Sequence, residues 1–384
     1  MKFVLAPDSF KGGMTAKEAA AAMHTGLKKV FPEAVYETVP MADGGEGTVQ
    51  SLVDTTDGRL VTKRVTGPLN TPVQAQYGLL GDQQTAVIEM ASASGIQFVN
   101  DQTHDPLVTT TYGTGELMLD AMSQGVKTII LGIGGSATND GGAGMAQALG
   151  VKLIDEKDHE LGFGGGQLGQ LDRIDTSQID PAVAVTKVMI ASDVTNPLVG
   201  PNGASAVFGP QKGATPDMVE ALDANLQHYA DVIKRDLHLD LANRAGAGAA
   251  GGLGAGLLAF THSQMQRGID IVVEYSHLKQ RAKGADFVFT GEGGVDFQTK
   301  FGKTPYGVAQ ATKSVAPNAP VIVLAGNVGK GIDSLYSKDA IDAIFPIVPG
   351  ATTLDQAIAD GPQNLFRLAE NVGRLIRSTA FNRK

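Results

Sequence analysis

The 384-residue chain has no cysteine, which excludes disulfides, thiolate zinc sites and a thiol nucleophile together. Basic residues are in short supply. Lys and Arg number 31 against 40 Asp and Glu, for a net charge of −9, the wrong sign for a protein whose main partner is a nucleic acid. A small anionic substrate stays open, because a few lysines in a cleft reverse the local field. No apolar run approaches the ~20 residues of a membrane-spanning helix. The apolar start at 3–5 is too short for a signal peptide and is cut off by Asp8 and Lys11. The expectation is a soluble, cytoplasmic protein. Common fingerprints are missing too: there is no G-x-S-x-G elbow and no H-E-x-x-H, and 302–304 (GKT) ends like a P-loop but has Phe297 where its first glycine belongs.

Glycine, by contrast, is abundant: 49 residues, gathered at 132–144, 162–169, 246–256 and 291–294. Glycine permits positive φ and close backbone approach to a ligand. The length suits two domains. After the apolar run 3–5, Thr15 and Glu18 form a capping box, and Ala16, Ala19, Ala20, Met23, Leu27 and Val30 recur at helical spacing. The stretch APDSFKGG (6–13) therefore joins a strand's carboxyl end to a helix N-terminus, where open α/β sheets bind ligands. Similar strand ends follow 127–133, 185–191, 286–290 and 321–324, so a mostly parallel sheet with interleaved helices is expected. Between about 60 and 115, strands at 59–65, 73–79 and 86–90 with little helix mark the start of an inserted second domain. Thr215 and Pro216 open a long helix, and 354–376 reads as one long amphipathic stretch.

The recurring theme at these strand ends is a carboxylate beside glycines or hydroxyls: Asp8 with Ser9, Asp43 and Glu46 among Gly44, Gly45 and Gly47, Asn139 with Asp140, Asp193, and Glu292 with Asp296. Lys11, Lys212, Lys300 and Lys303 accompany them. Phosphoryl transfer uses this set. Carboxylates hold Mg²⁺, glycine-rich turns at helix N-termini receive phosphate, and lysines neutralise the transferring group. A carboxylate also takes the proton of the attacking alcohol. Each residue has an ordinary structural reading as well: Asp8, Ser9 and Asp43 as turn residues, Asp140 as a helix cap, 246–256 as a tightly packed helix pair, and Lys300 and Lys303 as solvated charges. Gly132, Gly134 and Ala137 fit the loose dinucleotide pattern G-x-G-x-x-[GA], as do Gly246, Gly248 and Gly251; a glycine-rich chain gives such matches by chance.

Seven longer stretches resemble the bacterial type I glycerate kinases: APDSFKG (6–12), MADGGEGT (41–48), GIGGSATNDGG (132–142), SDVTNPLVGPNGA (192–204), FGPQKGA (208–214), GAGAAGGLGAGL (246–257) and TGEGGVDFQTKFGKTPYGVA (290–309). They run in the family's order across nearly the whole chain; one departure is Gly13-Met14, where Ser-Leu is expected. The resemblance implies ATP- and Mg²⁺-dependent phosphorylation of D-glycerate, to 2-phosphoglycerate, in glycerate, glyoxylate or sugar-acid breakdown. It also implies a Rossmann- or flavodoxin-like α/β domain built from both chain ends (1–60 and 286–384), an inserted α/β domain (61–285), and an active site in a cleft that closes to exclude water. On residue type and strand-end position, Asp8, Ser9, Lys11, Gly12, Asp43 and Lys300 are candidates for glycerate, and Asp193, Asp296 and Lys11 for catalysis. Gly134, Gly135, Ser136, Asn139, Asp140, Lys212, Gly248, Gly251 and Gly252 are candidates for the nucleotide, and Asp43, Glu46 and Asp193 for the metal. The alternatives are a nicotinamide-dependent oxidoreductase and a non-catalytic small-anion binder.

Overall fold

A computed structural model describes residues 1–381. The chain is mixed α/β and divides into two compact units, Met1–Asp57 with Gly268–Lys384, and Gly58–Arg267. The second boundary thus falls at 267/268 and not at 285/286. The helices Gly268–Tyr275 and Leu278–Ala282 belong to the first unit because they pack on the helix Thr304–Lys313.

The first unit is built on a five-stranded sheet in which every pairing is parallel. Phe287–Val295 lies at its centre, flanked by Lys2–Leu5 and then Val35–Thr38 on one side and by Val321–Val328 and then Ala343–Pro346 on the other. Phe3, Leu5, Phe289 and Leu324 pack one face against Met23, Leu27, Leu365 and Ala369 of the helices Ala16–Lys28 and Gly361–Phe381. Helix Thr304–Lys313 covers the other face, as right-handed crossovers running in opposite directions along a sheet require. The chain runs outward one way from Lys2–Leu5 to Val35–Thr38 and the other way from Phe287–Val295 to Val321–Val328, so the topological switch point lies between Lys2–Leu5 and Phe287–Val295. Ligands of open parallel sheets bind outside the strand ends at that point.

Sequence expectations meet local structure closely at Thr15, whose side chain and that of Glu18 complete the capping box, and at Thr215, which caps Pro216–Leu237. Three readings need correction. The glycines 291–294 and residues 325–327 are not loops: the strands Phe287–Val295 and Val321–Val328 run on through them, paired residue by residue. The stretch 354–376 is two helices, Leu354–Ala359 and Gly361–Phe381, broken next to Gly361 and Pro362, where a proline belongs in a first turn and not in a helix interior. Val185 ends a short helix, Pro181–Val185, and the strand is Lys187–Ala191.

The second unit holds a six-stranded mixed sheet. His262–Gln266, Lys187–Ala191, Thr128–Gly132 and Thr85–Glu89 are parallel neighbours, and Pro72–Leu79 and Arg59–Thr66 extend it antiparallel. Its core is separate from that of the first unit.

Candidate active site

The switch point of the first unit carries a cluster of charge. Asp8 follows the strand Lys2–Leu5, and its N–H donates to the Gly291 carbonyl, which ties it to the neighbouring strand. Its carboxylate accepts from the Ser9 N–H at 2.6 Å, from the Ser9 hydroxyl, and from Thr304 Oγ1 at the start of the helix Thr304–Lys313. Glu292 projects from the adjacent strand and is 8% exposed. Its Oε1 lies 3.5 Å from Lys303 Nζ, beyond a normal hydrogen bond, and has no hydrogen-bond partner. Asp43 bonds the Gly45 N–H. The 43–44 backbone rests on Gly268, where a Cβ would overlap the Asp43 carbonyl, so only glycine seats this turn.

Crowding of carboxyls in a buried place sets their electrostatics. Burial raises Glu292 to about 7; Lys303 opposes the shift, and Asp8 and Asp43 add to it. Burial likewise raises Asp8 to about 6, against the hydrogen bond from Thr304 and with the help of Asp43. Two acids raised towards neutrality, one of them beside Lys303, make an arrangement suited to proton transfer. Asp8, Ser9, Lys11, Asp43, Glu46, Glu292 and Lys303 all line one cavity of about 910 Å³. Among the described residues no group of three or more His, Asp or Glu side chains is gathered closely enough to hold a metal ion by itself.

Other residues singled out in the sequence stand elsewhere. Asp296 accepts from the Gln298 N–H and caps the turn Phe297–Phe301; Lys300 lies over the Phe301 ring at 5.1 Å. Neither lines the cavity. Asp193 is in the second unit, 3.7 Å from the Arg267 guanidinium. In the same unit Asp140 is fully buried. It accepts from the Thr111 N–H and hydroxyl and from the N–H groups of Gly142 and Gly144. Burial raises its carboxyl, and these four bonds oppose the rise. Lys212 is 2% exposed, and its Nζ donates to Ser136 Oγ and the Thr138 carbonyl, both at 2.7 Å. Burial lowers its amine to about 7, with Asp140 opposing. Asn139 is buried and donates to Ser205. Gly248, Gly251 and Gly252 are buried and pack against Pro197, Thr138 and Gly141. Asp140, Lys212 and these glycines therefore form internal scaffolding. Gly134 and Gly135 are exposed and remain free to meet a ligand. No helix starts directly after them, the next being Ala143–Ala148, so the dinucleotide fingerprint lacks its helix N-terminus.

The glycerate kinase family model matches residues 3–377. The chain belongs to the glycerate kinase family. A glycerate kinase from Haemophilus influenzae is 51% identical over 98% of this chain and 99% of its own. A glycerate 2-kinase from Escherichia coli K12 is 48% identical over 97% of both. A crystal structure from Salmonella typhimurium LT2, assigned as glycerate kinase 2, superposes with a TM-score of 0.91 at 48% identity, covering 99% of each chain. In this member of the glycerate kinase family, sequence reasoning assigned no role to Glu292. The visible signal was an acid within the glycine run; what could not be seen was that the run continues a strand buried as far as Glu292.

Proposed function

We propose that the chain phosphorylates D-glycerate with ATP, forms 2-phosphoglycerate, and serves the breakdown of glycerate, glyoxylate or sugar acids. The observation that carries the reading is the set of Asp8, Glu292, Lys11 and Lys303 on one cavity wall at the switch point of the first unit. Glycerate is a small anion with two hydroxyls. Lys11 and the Gly12-Gly13 backbone offer its carboxylate a cationic, N–H-rich seat. Glu292 accepts the proton of the attacking hydroxyl. A carboxyl raised to about 7 suits that task better than an ordinary one, since a base works best with its pKa near the working pH. Lys303 faces the charge that spreads over the transferring phosphoryl group. Mg²⁺ fits the donors present: it takes one or two carboxylates and completes its shell with water and phosphate oxygens, and Asp43 and Glu46 supply that number. When bound it neutralises phosphate charge.

This assignment moves the base from Asp193 or Asp296 to Glu292, because Asp296 is engaged as a cap and Asp193 pairs with Arg267. The test is ADP release with ATP, Mg²⁺ and D-glycerate, with the product read by phosphorus–proton coupling in NMR. The expected product carries phosphate on the C2 oxygen, and coupling to the C3 protons would sink that regiochemistry. Glycerate binding without ADP release would instead favour the anion-binding reading.

A further inference from the structure

The cavity has a second half that glycerate does not explain. Its volume, about 910 Å³, lies at the upper end of the ~300–1,000 Å³ that encloses a ligand many times the size of a three-carbon acid. Besides the acids and lysines the cavity has an apolar lining: Met14, Val328, Val348, Leu354 and Ile358, bordered by the irregular turn at 349–353. Leu354 is 75% exposed, the largest such value among the large hydrophobic residues of the described chain. It sits on the rim of this half, where an apolar ligand surface would cover it. Ile358 lies against Gly12 and Gly13, so the apolar half adjoins the turn that carries Lys11. Both halves belong to the first unit.

We infer that the apolar half receives the purine base of the nucleotide, with the phosphates running towards Lys303 and Glu292. The inference rests on the kinase reading above and relocates the nucleotide from the glycine turns of the second unit. Three observations carry it. A flat, largely apolar heterocycle fits a wall of aliphatic side chains edged by backbone groups, the usual make-up of a small-ligand pocket. The polyphosphate of the same molecule needs cations, and the same cavity provides Lys303. And the turns first proposed for the nucleotide are largely filled from within: Ser136 is bound by Lys212, and Gly248, Gly251 and Gly252 are buried against neighbouring backbone.

The test uses the full chain and two variants, Leu354→Asp, at an exposed position where folding tolerates the change, and Ile358→Ala. ADP with Mg²⁺ is titrated by calorimetry, and KM is measured separately for ATP and D-glycerate. The expected result is a rise of fivefold or more in both the ADP Kd and the ATP KM for each variant, with the glycerate KM within twofold of the parent. ADP affinity within twofold of the parent in both variants overturns the inference. So does a shift confined to the glycerate KM, which would place the acid in the apolar half. A parent chain that turns over glycerate with ATP while both variants keep normal ADP binding would leave the kinase reading standing and the base pocket refuted. A parent that neither binds ADP nor consumes ATP would refute both.

Discussion

Glu292 and Asp296 are four positions apart on one stretch of chain, yet their carboxyls meet opposite conditions. One is buried beside two other acids and faces a cavity; the other caps a turn at the surface. Residue types alone do not separate them, since capping, metal binding and proton transfer all draw on Asp and Glu, and the deciding variable is burial. If Glu292 is the base, kcat/KM should rise with pH and level off above about 7. Glu292→Gln should lower kcat/KM about 100-fold or more and abolish that limb, while Asp193→Asn should cost less than tenfold. The reverse order would return the role to Asp193. The same carboxyl has a stability signature. Its native pKa is raised, so the native state holds a proton that the unfolded chain releases above the ordinary value of 4.5, and stability falls as pH rises towards 7. In the ligand-free protein, with Asp8, Asp43 and Lys303 unchanged, the Gln variant should melt higher than the parent at pH 8 and close to it at pH 5.

Among the elements, those with clear apolar periodicity and caps were legible: Ala16–Lys28, Pro216–Leu237 and the strands at 59–66, 72–79 and 85–89. Val35–Thr38 and His262–Gln266 were missed because no residue in either is fully buried, so neither leaves an apolar trace. The strand Phe287–Val295 was cut short because glycine usually ends strands; here a Cβ at Gly291 would overlap the Leu324 carbonyl, so the glycine is what admits the neighbouring strand. Of the candidate site, the acids after the strand Lys2–Leu5 could be picked out from composition and position, and they share one cavity; the packing of 248–252 could not, because an internal brace and a ligand loop use the same glycines. Lys212 shows this: it braces the segment after Thr128–Gly132 from within. Replacing it by Met keeps the apolar bulk but leaves the Thr138 carbonyl and Ser136 hydroxyl without a donor, a loss of ~1–3 kcal/mol. The expected readout is a lower urea midpoint. The parent's amine titrates near 7, below its unfolded value of 10.5. The native state therefore binds fewer protons between those values, and the parent gains stability as pH rises through them. The gap between parent and variant should then widen from pH 6 to pH 9, and a gap that does not change would argue against a buried, neutral amine.

Across the whole molecule the two units keep separate cores, one of them continuous in sequence and the other not. The fragment 58–267 should accordingly fold alone with a single cooperative urea transition, read by circular dichroism; a molten fragment without one would mean that its core depends on the first unit. The first unit is assembled from two separate stretches of chain. Its strand Lys2–Leu5 pairs with Phe287–Val295, and Thr290 Oγ1 donates to the carbonyl of Ala6 across 284 positions of chain. During synthesis at ~5–20 residues per second, Asp8 must wait on the order of tens of seconds for its partner strand to leave the ribosome. Until then the nascent polypeptide carries Asp8, Lys11, Asp43 and Glu46 without Glu292 and Lys303 and cannot assemble the cavity, so a truncated translation product that stops before Phe287–Val295 should not compete with the finished protein for substrate.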